Sequence, residues 1–204
     1  MWADAITTEA ELRALLGEPS ERVLRKQLDA LDDHCADFIG RARFFVLATA
    51  NADGSCDASP RGGPPGFVRV LDGHRLAFAD YAGNRRADSH RNLLANPRVG
   101  LLFLLPGLGE TLRVNGRATL TTDPALLDAL PTGGRRPDLA VGVDVDEAFL
   151  HCAKAFRRSG LWDPATWPDE LPSAAEIFRD HMAPDVPVAD VASSLAAGYE
   201  RSLW

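Results

Sequence analysis

The segment ETLRVNGRATLTT, residues 110–122, alternates without a break. Leu112, Val114, Gly116, Ala118 and Leu120 take one face, and Thr111, Arg113, Asn115, Arg117 and Thr119 take the other. Successive side chains of an extended chain point to opposite sides, so this period of two marks a half-buried strand. Just upstream, residues 99–105 are apolar on both faces and read as a central strand. Pro106 to Gly109 supply a turn between the two. Downstream, Asp123-Pro124 opens a short helix to Leu130, residues 132–137 form a loop, and residues 139–149 return as a strand.

Toward the N-terminus, Phe44–Ala50 is a β-type run. Asn51-Ala52-Asp53-Gly54 is a turn signal, and residues 55–59 are its returning strand. Residues 60–66, PRGGPPG, are expected to be loop, because proline lacks a donor and glycine is conformationally free. Residues 67–71 and 75–79 form a second hairpin about Asp72-Gly73. A polar loop at 80–86 leads into a short helix from Asp88 or Ser89 through Leu94, which Asn96-Pro97 stops. Six or seven strands thus occupy 43–150 with only short helices between them. A parallel βαβ sheet needs longer helices at regular intervals, so a small antiparallel barrel is the better reading.

The flanks are helical. Thr7 or Thr8 caps a first helix with Glu9 and Glu11 in its opening turn. Ser20 is expected to cap a second, which carries Val23, Leu24, Leu28, Leu31 and Phe38 and ends at Gly40. After the barrel, residues 152–172 are irregular. A helix then starts at Ser173 with Glu176 at capping-box spacing, and a last helical stretch covers 188–203. The expected organisation is one domain: an arm over 1–40, a barrel over 41–150 and a cleft-lining tail over 151–204.

The chain has 204 residues, 46 % hydrophobic and 25 % charged, which is ordinary for a globular domain able to bury a core without staples. No apolar run approaches the ~20 residues of a membrane span. The start of the chain, with Asp4, Glu9 and Glu11, does not read as a signal peptide, and a cytoplasmic location is the default expectation. Cys35, Cys56 and Cys152 lack metal or disulfide spacing and read as ordinary thiols. The net charge of −7 argues against nucleic-acid binding. Yet between Arg61 and Arg117 nine arginines face four acids, a local excess of +5. A basic middle in an acidic chain points to a localised anionic ligand.

Two stretches carry candidate chemistry. In Asp80-Tyr81-Ala82-Gly83-Asn84-Arg85-Arg86, two guanidinium groups, an amide and the N-terminus of the following helix converge. These are charge-assisted and backbone donors suited to a phosphate. The alternative is a solvated turn balanced by Asp80 and Asp88. The second stretch, residues 151–164, mixes His151, Cys152, Lys154, Arg157, Arg158 and Trp162. Lys154 is one of two lysines in a chain with twenty arginines. Lys154 or Arg158 could bind an anionic substrate, and Trp162 could stack on a ring or anchor the tail. Neither a nucleophile elbow nor a phosphate-loop motif is present.

Gly83-Asn84-Arg85-Arg86-Ala87 followed by Asn96-Pro97-Arg98-Val99-Gly100-Leu101-Leu102-Phe103 resembles the pyridoxamine-5′-phosphate-oxidase-like flavin-binding split barrels. The Val46–Thr49 lead-in with Asp53-Gly54, and Thr111 through Gly116-Arg117-Ala118, extend the resemblance over roughly 44–121. The flanks look like an FMN-dependent subgroup distinct from the true vitamin-synthesising oxidases. The resemblance implies a mainly β (α+β) fold, a six- to seven-stranded antiparallel split β-barrel with short peripheral helices and helical arms. It implies FMN held between the protomers of a homodimer, and an oxidoreductase using a small-molecule substrate or electron donor. Arg85 and Arg86 match the pair that grips the FMN phosphate, with Asn84 beside them and Ser89 opening the next helix. Ser59 stands where such oxidases often carry an arginine, and here Arg61 follows two residues later. Thr111 stands where a glutamine commonly meets the isoalloxazine edge, a contact that Arg113 could take over. The alternatives are a non-catalytic flavin carrier or sensor, or the same barrel holding a deazaflavin or a haem, for which His151 is the candidate ligand.

Overall fold

Seven strands pair in one antiparallel sheet of order β2-β1-β5-β6-β7-β4-β3. They are β1 (Phe44–Ala50), β2 (Cys56–Gly62), β3 (Val68–Asp72), β4 (Arg75–Asp80), β5 (Arg98–Leu104), β6 (Thr111–Thr121) and β7 (Leu139–His151). The computed structural model describes residues 2–81, 83–131 and 134–202. Ala82, Thr132, Gly133 and Leu203, which belong to two expected loops and the last helix, lie outside the described residues. The sheet curls far enough to bring β2 beside β4. Arg61 on β2 reaches Asp80 on β4, with Nη1 3.8 Å from Oδ1, although four strands separate them in the pairing order. Inside the curl, Phe45 packs against Phe67, Phe78 and Phe103 at ring-centroid distances of 5.7, 5.0 and 5.1 Å. All four rings are buried, and aromatic pairs at such spacing add to the gain from area burial. The fold is α+β, with short helices α4 (Asp88–Ala95) and α5 (Pro124–Ala129) set between strands.

Two expectations need correction. Residues 60–66 are not all loop, for β2 continues through Pro60, Arg61 and Gly62. The bonds Asn51 N–H to Ser55 O and Gly63 N–H to Arg43 O fix the bonded pairs of the β1–β2 ladder at odd positions. Pro60, opposite Val46, therefore has its donorless nitrogen on the outer edge of an edge strand, where proline is tolerated. The expected long helix from Ser20 to Gly40 is also broken. A single turn, α2 (Glu21–Leu24), is followed by a bridge of Leu28 to Ala148 on β7 and by Leu31 N–H donating to Gly73 O. A new helix, α3 (Asp33–Arg41), then starts with the Asp32 carboxylate accepting from Cys35 N–H. The chain gives up helix here because Leu28 and Leu31 gain partners on the sheet. Gly40 lies inside the last turn of α3, not at its cap.

Elsewhere the local rules held. Thr8 and Glu11 form a full capping box on α1 (Glu9–Leu16). Asp123 caps α5, and Ser173 accepts from Glu176 N–H at the start of α7 (Ala174–Met182). The tail adds α6 (Lys154–Ser159) and α8 (Val188–Ser202), and α7 packs chiefly on α8. No helix among the described residues is long and apolar enough to cross a membrane. Cys35 is buried, which pushes its thiol up to about 11, while Cys56 and Cys152 are exposed.

The longest ladder, β6 with β7, is interrupted by a bulge at Asn115/Gly116. There the backbones approach so closely that a Cβ on Gly116 would lie 2.1 Å from the Asp144 carbonyl oxygen. Gly116→Ala must push the strands apart and is expected to cost about 1–3 kcal/mol. Thermal unfolding followed by circular dichroism should show a lowered Tm, and an unchanged Tm would mean that this contact is easily relieved.

Candidate functional site

Where the sheet closes on itself, the N-terminus of α4 faces the β2–β4 seam across a cleft of ≈ 700 Å³. Ser59, Arg61, Asn84, Arg85, Arg86 and Ser89, six of the residues singled out from the sequence, line it. Two further guanidinium groups, Arg135 and Arg136, complete its rim. These last two were not singled out, because their loop carries no strand or helix signal to aim it.

Arg61 is the most enclosed of the five cleft arginines. Its side chain is 25 % exposed, and its Nε is buried without a hydrogen-bond partner. The carboxylate of Asp80 serves two neighbours, lying 3.8 Å from Arg61 Nη1 and 3.0 Å from His90 Nε2. His90 Nε2 is a second buried polar atom without a hydrogen-bond partner. Arg86 is 73 % exposed and paired with Asp88 at 2.8 Å, the balance foreseen in the solvated-turn alternative. Its backbone N–H donates to Asn84 Oδ1 at 3.0 Å. Arg85 is exposed on the cleft rim, and its backbone is left-handed at φ 61°. Ala87, the residue before α4, is also left-handed at φ 54° and has no side-chain oxygen to cap the helix. Non-glycine residues in this region cost free energy and persist where surrounding structure holds them. The loop thus leaves the leading N–H groups of α4 uncapped toward the cleft.

Asp57 was missed in the sequence, where nothing but an odd position on a short strand marks it. Its Oδ2 accepts from Ser89 Oγ at 2.7 Å and from Ser59 Oγ at 2.9 Å, and the two hydroxyl oxygens lie 2.9 Å apart. This triangle pins α4 to β2 and fixes the cleft wall. The remaining candidates lie elsewhere. Thr111 and Arg113 sit on β6, three strands from β2, with Arg113 facing the outer side of the sheet. Lys154 and Arg158 are exposed on α6. Trp162 anchors the tail: its Nε1–H donates to Leu108 O at 2.9 Å, and its ring stacks on Phe156 at 5.6 Å. Lys154, Arg158 and Trp162 do not line the Arg61 cleft of their own chain.

The model of the family described as pyridoxamine 5′-phosphate oxidase matches residues 31–152. The chain belongs to that family. The match spans α3, all seven strands and the cleft, and leaves the first helical arm and the tail outside. No curated protein matches the chain. Among solved structures it is similar to HupZ of Group A Streptococcus, at 16 % identity over 59 % of this chain and 93 % of that one, with a TM-score of 0.49. It is also similar to a putative pyridoxamine 5′-phosphate oxidase of Lactobacillus delbrueckii, at 21 % identity over 61 % and 98 % with a TM-score of 0.48. An FMN-binding protein of Syntrophomonas wolfei matches at 11 % identity over 57 % and 87 %, with a TM-score of 0.42.

The Asp57 triangle has a pH signature. The hydroxyls of Ser89 and Ser59, with the charge of Arg61, hold its carboxyl below the usual carboxylate range. A depressed carboxyl contributes stability above the unfolded-state value of about 3.9 and loses it as pH falls through the lower folded value. The stability gap between the wild type and Asp57→Asn should therefore be constant from pH 7 to 5 and shrink below about pH 4. Urea unfolding at each pH reads it, and a gap independent of pH would show that the charge of Asp57 plays no part.

Proposed function

We propose that the protein is an FMN-dependent oxidoreductase working as a homodimer. The observation that carries this reading is the partnerless, buried Nε of Arg61 beside an uncapped helix N-terminus, in a cleft that gathers four more arginines. A buried guanidinium N–H lacking a bond is costly, and a dianionic phosphate is the ligand that best offsets it. Arg61, Arg85, Arg86 and the first N–H groups of α4 would hold that phosphate, with Asn84 shaping the loop. Ser59 and Ser89 lend their hydroxyls to Asp57, so their part is to set the wall and keep that carboxylate turned from the anion.

Support for the dimer comes from the other side of the sheet. There Phe44, Val46, Leu102 and Leu104, each partly or fully open to solvent, form an apolar face across β1 and β5. Uncovered apolar faces of this kind mark association surfaces. Arg113 is two positions from buried Thr111 on the adjacent strand and opens on the same side as that face. A homodimer built there would let Thr111 and Arg113 of one protomer serve a flavin held in the cleft of the other. When bound, FMN supplies the hydride and electron transfer. The chain's own residues bind and orient it, place a positive group by its pyrimidine edge, and exclude water at the protomer contact. Lys154 and Arg158 are cations available to an anionic substrate.

Purified protein should show flavin bands or take up FMN in titration, and the absence of both would remove the reading. Uptake of FMN without turnover over a panel of donors would leave a carrier. Arg61→Gln, Arg85→Ala and Arg86→Ala should each weaken FMN binding by about 1.5–3 kcal/mol, or roughly 10- to 150-fold. Unchanged affinity in all three would refute the phosphate assignment. Leu102→Asp should give a monomer by light scattering and lose FMN affinity with it. A dimer that persists would place the contact on another surface.

A further inference from the structure

At the end of the β6–β7 ladder, away from the Arg61 cleft, a second set of cations converges. Thr111 pairs with His151, and Arg113 pairs with Phe149. The Arg113 guanidinium carbon lies 4.3 Å from the Phe149 ring centroid, and the Phe149 and His151 rings are 4.9 Å apart. The N-terminal arm brings Lys26 to the same place. Its Nζ donates to Leu150 O at 3.1 Å and lies 5.1 Å from the Phe149 centroid. Lys26 and Lys154 are the only lysines of the chain, and the charges of both lower the Cys152 thiol, after the larger effect of the Lys154 backbone N–H. The break in the arm after α2, which turns Leu28 into a bridge partner of Ala148, is what delivers Lys26 here.

Among the described residues no carboxylate answers these cations. Among the described residues, none of Lys26, Arg113, His151 and Lys154 forms an ion pair. Glu147, the acid on the same face of β7, is taken by the side-chain amides of Gln27 and Asn115. Glu110, just before β6, pairs with none of them. Arg113 Nε is buried without a hydrogen-bond partner. Contact with an aromatic face offsets only part of a cation's desolvation and does not neutralise it. Gathering like charges around a guanidinium whose Nε is buried and unbonded is unfavourable unless an anion completes the group.

We propose that Lys26, Arg113 and His151 form a binding site for a small oxyanion, the carboxylate or phosphate group of a substrate, separate from the Arg61 cleft. The inference stands on the geometry of this corner; under the flavin reading the same Arg113 faces the partner's cleft, and the oxyanion would then lie beside the flavin held there. Burial first, then the charges of Arg113 and Lys26, hold His151 below its usual range, so at neutral pH it is an uncharged imidazole. A bound oxyanion would reverse the electrostatic part of this balance and favour the imidazolium.

The test is an NMR pH titration of isotope-labelled histidine in the full-length protein, with the His151 signal assigned by its loss in His151→Gln. Inorganic phosphate and malonate are added separately, and FMN uptake is measured on the same samples. Either anion should raise the His151 midpoint by about 1 pH unit. The rise should be lost in Lys26→Met and Arg113→Gln but kept in Arg61→Gln. Response to phosphate alone or to malonate alone tells which oxyanion the site takes. No response in the wild type, or one that Lys26→Met leaves intact, overturns the proposal. So does a rise that disappears in Arg61→Gln, because the anion then acts from the cleft. A midpoint that changes with protein concentration but not with added anion also overturns it, because a carboxylate of a second copy then fills the corner. FMN uptake retained while the His151 response fails separates this failure from that of the flavin reading.

Discussion

The contact of β2 with β4 is the constraint on which the molecule depends. A seven-stranded sheet laid flat would leave four strands between Arg61 and Asp80. Curling brings them within 3.8 Å, wraps the Phe45 cluster in side chains, and opens a cleft at the seam. The curl is driven by the apolar interior, because a single ion pair partly open to solvent adds little. The ion pair decides how the seam is aligned. Asp80 also stands beside His90, so strand, seam and helix share one carboxylate.

That sharing explains the unusual state of the cleft. Its one enclosed arginine lacks a complete set of bonds, and its helix begins on a left-handed alanine instead of a capping side chain. Sequences optimised only for stability satisfy such groups. Leaving them open costs free energy. Asp57 shows the opposite treatment a few ångströms away, accepting both nearby hydroxyls so that α4 cannot drift from β2.

The strands were readable because period two is a local property. The alternation of 111–121 and the apolar run of β5 each announce one element without help from the rest of the chain. The strand–loop–helix junction that carries Arg85 and Arg86 was readable too. What failed depended on long-range partners. The bridge of Leu28 to Ala148 spans 120 positions, and nothing in the helical spacing of Leu24, Leu28 and Leu31 reveals it. Pro60 looked like a breaker because its place on an edge strand is a property of the sheet. Asp57, His90 and Lys26 escaped notice for the same reason: each owes its surroundings to tertiary contacts.

Pro60 has a bearing on how copies of the chain can meet. An edge strand is a ready template for a foreign strand, since half of its donors and acceptors point outward. On β2 the outward nitrogen at position 60 carries no hydrogen, so an incoming backbone finds a gap in the middle of the ladder. Growth of the sheet from molecule to molecule is discouraged at that edge. One imino acid thus works against fibre-like aggregation.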